Sequence, residues 1–274
     1  MVLRQKFVFF LTLAYMFVIP LVAQAQTPGL NPDRKEPLEI TADKSLEWHR
    51  TQKFFKALEN VKAKQGDVSL FADILTAKYR EGKESSMEIY HIQADGSVVI
   101  DSAKSKAYGD KAVYEIDKGL AVMTGKNLRL VSTDQTVTAR DRFEYWAAQG
   151  QLKAIGKAVA IRQGDKLEAD KIEATFKEDA KGQRVLEKME AHGNVKITTP
   201  TEVLRGNYGV YTAKTNVAEV KGNVRITRGP NILEGERAQV DLNTNISKMF
   251  GSIKSTGSGR VRGVFYPSSE KKTK

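Results

Sequence analysis

The sequence has no cysteine, only three histidines, and a single long apolar run, at residues 7–22. The lack of cysteine removes disulfides, thiolate zinc sites, iron–sulfur ligation and thiol catalysis together. His49, His91 and His192 lie far apart, with no Ser or Asp arrangement recurring around them, which argues against catalysis and a histidine-rich metal site. A phosphate-binding loop is missing as well: Gly119 and Gly125 enclose five residues, but Lys126 is followed by Asn127 where such a loop needs Ser or Thr. No amphipathic helix of more than two turns is visible after residue 25, and no carboxylate pair recurs beside aromatic platforms as in a polysaccharide lyase or hydrolase. The sequence predicts no enzyme, no cofactor and no metal site.

Charge is plentiful but unevenly placed. Lys and Arg number 44 against 33 Asp and Glu, a formal net charge of +11. Arg4 and Lys6 contribute +2 in residues 1–25; Lys254, Arg260, Arg262, Lys271, Lys272 and Lys274 against Glu270 contribute +5 in residues 251–274. The +4 left for residues 26–250 is too little for a nucleic-acid surface. At 41% hydrophobic and 28% charged, the chain is neither disordered nor a multi-span membrane protein.

Residues 1–25 have a positive start (Arg4, Lys6), an apolar run Phe7–Val22 broken by Pro20, and the small-x-small site Ala23-Gln24-Ala25. This pattern predicts a secretory signal peptide cut after Ala25. The alternative, an uncleaved anchor, has sixteen apolar-run residues where a span needs about 20. The expected product is an exported, periplasmic chain. It has an N-terminal segment 26–37, a repeat domain 38–251 and a basic tail 252–274. The tail either solubilises or meets anionic lipid heads.

The repeat is the dominant positive signal. Its first half reads Gly-Asn-Val-x-Ile or close to it, as in Gly193-Asn194-Val195-Lys196-Ile197 and Gly222-Asn223-Val224-Arg225-Ile226. The central apolar positions are 61, 98, 128, 159, 195 and 224, spaced 37, 30, 31, 36 and 29 residues apart. The second half opens on a small residue and often Asp-Lys, as in Ala42-Asp43-Lys44, Gly109-Asp110-Lys111 and Ala169-Asp170-Lys171. Alternating apolar residues follow, such as Ala112, Tyr114 and Ile116, or Ala238, Val240 and Leu242. Period-2 alternation predicts half-buried strands, and the Gly-Asn and Ala-Asp positions predict turns. The Asp-Lys pairs read as solvated turn charges, with a metal or sugar-phosphate role as the sharper alternative.

Six full units and a partial one predict a stack that buries one apolar stripe, either as a β-helix or as two sheets folded over each other. One strand per unit in each of two sheets gives a length of about 34 Å. Both ends expose strand edges, at Leu38–Ile40 and near Ile246–Ile253, with no capping helix in the sequence. Trp48 and Trp146 stand isolated and read as core or edge packing.

The ordered set Ile40-Thr41-Ala42-Asp43-Lys44, the Gly-Asn-Val-x-Ile segments, Gly235–Leu242 and Lys248-Met249-Phe250-Gly251 resembles the LptA/OstA family of periplasmic lipopolysaccharide-transport proteins. Gly259–Pro267 is similar to the C-terminal end of family members. The resemblance covers about residues 38–267, and the chain carries more units than compact members need. It implies an all-β fold, a V-shaped β-jelly roll of stacked antiparallel strand repeats with an apolar interior. It implies a bridge that shields lipopolysaccharide between an inner-membrane extraction complex and an outer-membrane translocon. The partners are jelly rolls of the same type joined by edge-strand pairing, with head-to-tail self-association as a further possibility and no nucleic acid. The inward face that would hold the lipid A acyl chains is then Leu38, Ile40, Val61, Leu70, Ala112, Tyr114, Ile116, Ile172, Phe176, Val195, Ile197, Tyr211, Val224, Ile226, Val240 and Leu242. The rival reading is an edge-assembling structural β-repeat protein without lipid cargo.

Overall fold

The computed structural model describes residues 37–82, 87–180, 184–244, 246–252 and 259–266. The expected leader, almost all of the segment 26–37 and most of the basic tail lie outside the described residues. Strands β1 (Glu39–Thr41), β2 (Ser45–His49), β3 (Phe54–Gln65), β4 (Val68–Glu81), β5 (Met87–Ser102) and β6 (Ser105–Glu115) come first. A 3-10 turn, Ile116–Lys118, leads to β7 (Leu120–Thr124), β8 (Arg129–Ser132), β9 (Gln135–Thr138), β10 (Arg142–Trp146), β11 (Gln151–Arg162) and β12 (Asp165–Glu178). The last described strands are β13 (Arg184–Thr198), β14 (Val203–Thr212), β15 (Val217–Arg228), β16 (Asn231–Asp241), β17 (Ile246–Phe250) and β18 (Arg262–Val264). All eighteen belong to one antiparallel network. β18 falls inside the stretch read as a tail, and its Gly263 pairs with Leu233 of β16.

The long strands are bent in the middle. In β4 the buried side chains fall at Val68, Leu70 and Ala72, then at Leu75, Ala77 and Tyr79, so the alternation skips a beat. The skip is a β-bulge at which two residues of one strand face one of its neighbour. Glu59 and Asn60 face Asp73, Gly156 and Lys157 face Asp170, and Gly222 and Asn223 face Glu236. Both bulge residues are left-handed: φ is 66° and 47° at Glu59 and Asn60, 73° and 50° at Gly193 and Asn194, and 80° and 51° at Gly222 and Asn223. Asn and Gly recur there because they tolerate that region best.

The repeated Gly-Asn and Ala-Asp segments are therefore mid-strand corners, not the turns between strands that the sequence suggests. The acids beside them act as clamps. Asn60 Nδ2 donates to Asp43 Oδ2 and Asn194 Nδ2 to Asp170 Oδ2, each at 2.8 Å, and the Lys126 backbone N–H donates to Asp110 Oδ2 at 2.8 Å.

Each bend divides a strand between two half-sheets. β1 with β2, β7 with β8, β9 with β10, and β17 with β18 each act as one bent strand. With the ten continuous strands they make fourteen, so each half-sheet is fourteen strands wide. The bend line folds one half-sheet onto the other, a jelly roll whose section is a V with its apex at the corners. Each 30-residue unit supplies a hairpin, two bent strands in place of one. The stack is accordingly about 60 Å long, nearly twice the expected length.

One hairpin end has an electrostatic cost. Glu202, in the turn between β13 and β14, has a carboxyl oxygen with no hydrogen-bond partner, and burial pushes its pKa above the ordinary carboxylate range. The folded state then binds that proton more tightly than the unfolded chain, so this residue's contribution worsens as pH rises through the carboxylate range. Glu202→Gln is expected to raise the melting temperature at pH 7, with the gain shrinking toward pH 4; thermal melts across pH will show it.

Candidate functional site

The interior is built from rows that the strand register makes continuous. On the half-sheet holding β1, one row runs Ile40, Ala63, Leu70, Ile100, Ala107, Leu130, Val137, Ala160, Leu167, Ile197, Leu204, Ile226, Leu233 and Gly263, crossing every strand from edge to edge. On the half-sheet holding β2, the row nearest the bend runs Leu46, Ala57, Leu75, Ala94, Ala112, Met123, Phe143, Ala154, Ile172, Ala191, Gly209, Val220, Ala238 and Met249. The next row outward carries the larger rings, including Trp48, Tyr114, Tyr145 and Tyr211. Ala and Gly beside the bend let the two half-sheets close; bulkier residues fill the wider part of the V.

All sixteen residues expected on the inward face are found there. Val61, Leu70, Ala112, Ile172, Val195, Ile197 and Val224 belong to the main buried cluster, with Leu38, Ile40, Tyr114, Ile116 and Ile226 packed against it. Tyr211, Val240 and Leu242 form a second cluster against which Phe176 packs. Val61, Val98, Val195 and Val224 beside the bend are at most 1% exposed; farther out burial is mixed, with Val68 at 1% and Tyr114, Leu130, Val137 and Ile226 only partly buried. Sequence reasoning missed Ile100, Leu130, Leu167, Leu204 and Leu233, which share the long row. Their signal was present: Ile100 and Leu130 stand in the repeat where Ile197 and Ile226 stand, and Leu167 lies 97 residues after Leu70.

Two small cavities lie within the interior among the described residues. A cavity of about 40 Å³ lies among Ile100, Ala112, Met123, Phe143 and Leu152, and one of about 20 Å³ among Leu167, Met189, Ile197 and Tyr211. Such volumes hold about one water each, not an acyl chain. A larger depression of about 520 Å³ opens around the Gly125 corner, lined by Tyr108, Lys126 and Arg129 among others.

The outer face is a ladder of charges. Burial alone would raise Glu190, but hydrogen bonds from Lys188 and Tyr208 outweigh it and hold its pKa below the ordinary range; the Tyr208 hydroxyl is pushed up to about 12 by burial and by that same carboxylate. No cluster of three or more metal-ligating side chains occurs among the described residues. His91 bonds Glu115 at 3.0 Å and His192 packs edge-on against Tyr208, so these histidines serve the outer face.

Both ends are unfinished edges among the described residues. β1 and β2 pair only with β3, and β17 and β18 only with β16. Six of the nine most exposed large apolar side chains sit at these ends: Leu46, Trp48, Ile246, Val261, Phe265 and Tyr266. Trp48 is not isolated: its ring stacks on Phe55 with centroids 5.6 Å apart and its Nε1 donates to the Tyr79 hydroxyl at 2.8 Å. Trp146 lies on the outer face, its Nε1 donating to Glu144 at 3.2 Å.

A family model described as LptA/(LptD N-terminal domain) LPS transport protein matches residues 39–146 and, a second time, residues 137–246. No curated protein matches the sequence. Among solved structures, a match is LptH of Pseudomonas aeruginosa, described as the LptA-homologous periplasmic component of the lipopolysaccharide transport device. It is 13% identical, with 86% of this chain and 99% of that chain covered and a TM-score of 0.21, a likeness too slight to carry an argument.

Proposed function

Since this chain belongs to the LptA/(LptD N-terminal domain) family of LPS transport proteins, we propose that it is a periplasmic bridge that shields lipopolysaccharide acyl chains and passes them between membrane complexes. In this reading residues 1–25 are a cleaved export signal and 38–251 with β18 form the working domain. The carrying observation is the unbroken apolar row from Ile40 to Gly263, with no further strand paired at either edge among the described residues. An acyl chain exposed to water loses about 0.8 kcal/mol per CH₂, so a multi-chain lipid needs cover along its whole path. Rows of near-constant chemistry offer similar affinity at each step, which lets cargo advance without stalling.

In this reading cargo enters along the mouth of the V while the corners hold. Tyr114, Ile116, Phe176, Tyr211 and Ile226 are then contact residues, and Val61, Val195 and Val224 keep the apex packed. Partners dock by pairing with the edge strands at either end, and the proposal requires no chemistry on the cargo.

A photo-crosslinking amino acid at Tyr114 or Ile116 is expected to capture lipopolysaccharide in growing cells, while one at exposed Lys118 or at buried Val61 captures little. Capture equal at all four positions, or none at any, would overturn the proposal. A packed apolar interior is also what a purely structural β-repeat would have, and crosslinks confined to protein neighbours would select that reading.

A further inference from the structure

Residues 40–125 align with 137–222 without a gap, at a constant shift of 97. Many of the identical residues fall on the interior and the corners, among them Ala57 and Ala154, Leu70 and Leu167, Asp73 and Asp170, Gly96 and Gly193, Val98 and Val195, Tyr114 and Tyr211. The backbone repeats with them. Asp43 N–H donates to Glu59 O at 2.9 Å and Arg140 N–H to Gly156 O at 2.7 Å. Tyr79 N–H donates to Lys53 O at 3.0 Å and Phe176 N–H to Gly150 O at 2.8 Å. Lys53 and Gly150, again 97 apart, are both left-handed, with φ of 54° and 60°. The irregular unit spacing resolves as well: the buried equivalent of Val61 is Ala158, not Val159, so steps of 37, 30 and 30 residues are followed by 37 and 29. The family match likewise begins at 39 and again at 137.

Each copy is six bent strands. β9 with β10 opens the second copy as β1 with β2 opens the first, and β16 opens a truncated third. At the seam Phe143 pairs with Met123 and Tyr145 with Ala121, both large against smaller, and the next such joint sets Val240 against Ala218. The covering strand buries these positions: Phe143 and Tyr145 are each 6% exposed and Val240 3%, whereas Leu46 and Trp48 at the uncovered first edge are 58% and 47% exposed. The seam is thus the same joint as the open edge, closed within one chain, and the interior rows cross it unbroken.

We infer that the duplication sets reach: the second copy lengthens a single apolar track instead of adding a second site, and copy number is the ruler. Adjacent strands lie about 4.8 Å apart, so one six-strand copy adds about 29 Å. The inference rests on the transport reading for why reach matters, and on the 97-residue period for how it is achieved.

The period makes a deletion test possible. Removing residues 58–154 joins Ala57 to Ile155, which follows Ala154, the equivalent of Ala57, and keeps every inward residue inward. Removing 58–155 joins Ala57 to Gly156 and turns the following side chains to the wrong face. The first variant is expected to melt cooperatively with a β-sheet circular dichroism spectrum, and the second is not. The first should still capture lipopolysaccharide at Tyr211, yet deliver it to the outer membrane at least tenfold less well than the full chain. A chain with one inserted extra copy of 58–154 should fold and sustain delivery.

Delivery by the short variant equal to the full chain would overturn the ruler. So would failure of both the short and the long variant to fold, since modular copies must tolerate a whole period. Loss of Tyr211 capture in the full-length protein would instead indict the lipid-carrying proposal, which keeps the two failures apart.

Discussion

Val195→Asp is expected to abolish the cooperative thermal transition. Val195 is 1% exposed, pairs with Gly206 across β13 and β14, and walls the smaller interior cavity. No cation lines that cavity, so the carboxylate is either buried unpaired or protonated, at a cost of several kcal/mol. A domain is stable by only about 5–15 kcal/mol. The architecture sharpens the effect. A stack holds together by contacts between neighbouring units, so a break in the middle uncouples both flanks. Val240→Asp, 3% exposed but close to the last strands, is expected to leave a transition while amides of β15 to β17 lose protection in hydrogen exchange. Ile246→Asp, at a position 51% exposed, should change stability by no more than about 0.5 kcal/mol. Equal loss from Val195→Asp and Val240→Asp would contradict a quasi-linear stack.

The second large effect belongs to a corner. Gly193 has φ of +73°, and a Cβ there would come within 2.2 Å of Asp170 Oδ2, the atom that receives the Asn194 side-chain amide at 2.8 Å. Gly193→Val therefore combines a left-handed β-branched residue, costing about 1–2 kcal/mol, with expulsion of the acid that clamps the corner. Gly164→Val is the control. Its φ is +93°, but nothing lies within 4 Å of the added Cβ, so it carries the backbone cost alone. Gly193→Val is expected to lower the midpoint of urea unfolding by clearly more than Gly164→Val. Equal midpoints would mean the corner clamp contributes nothing.

Much of the fold was legible before any coordinates. Alternation such as Ala238, Val240 and Leu242 is a local property of an extended chain with one wet face, and it survives into the structure unchanged. The sixteen inward residues were legible for the same reason. The corners were read differently. Gly193-Asn194 has the composition of a turn because both turns and bulges need left-handed residues, and composition cannot tell a reversal of direction from a bend. That ambiguity nearly halved the expected length. Trp48 looked isolated because Phe55 and Tyr79 lie 7 and 31 residues away and meet it only through the register of β2, β3 and β4.

By itself the sequence determined the all-β class, the inward and outward faces and the repeat, since each follows from side-chain periodicity along a single strand. Only the tertiary structure decided that Gly-Asn bends a strand instead of reversing it and that Asp170 clamps the corner. It also decided that the two copies share one track. Those depend on which strand lies beside which, and pairing between strands is set by contacts between distant residues that no local pattern contains.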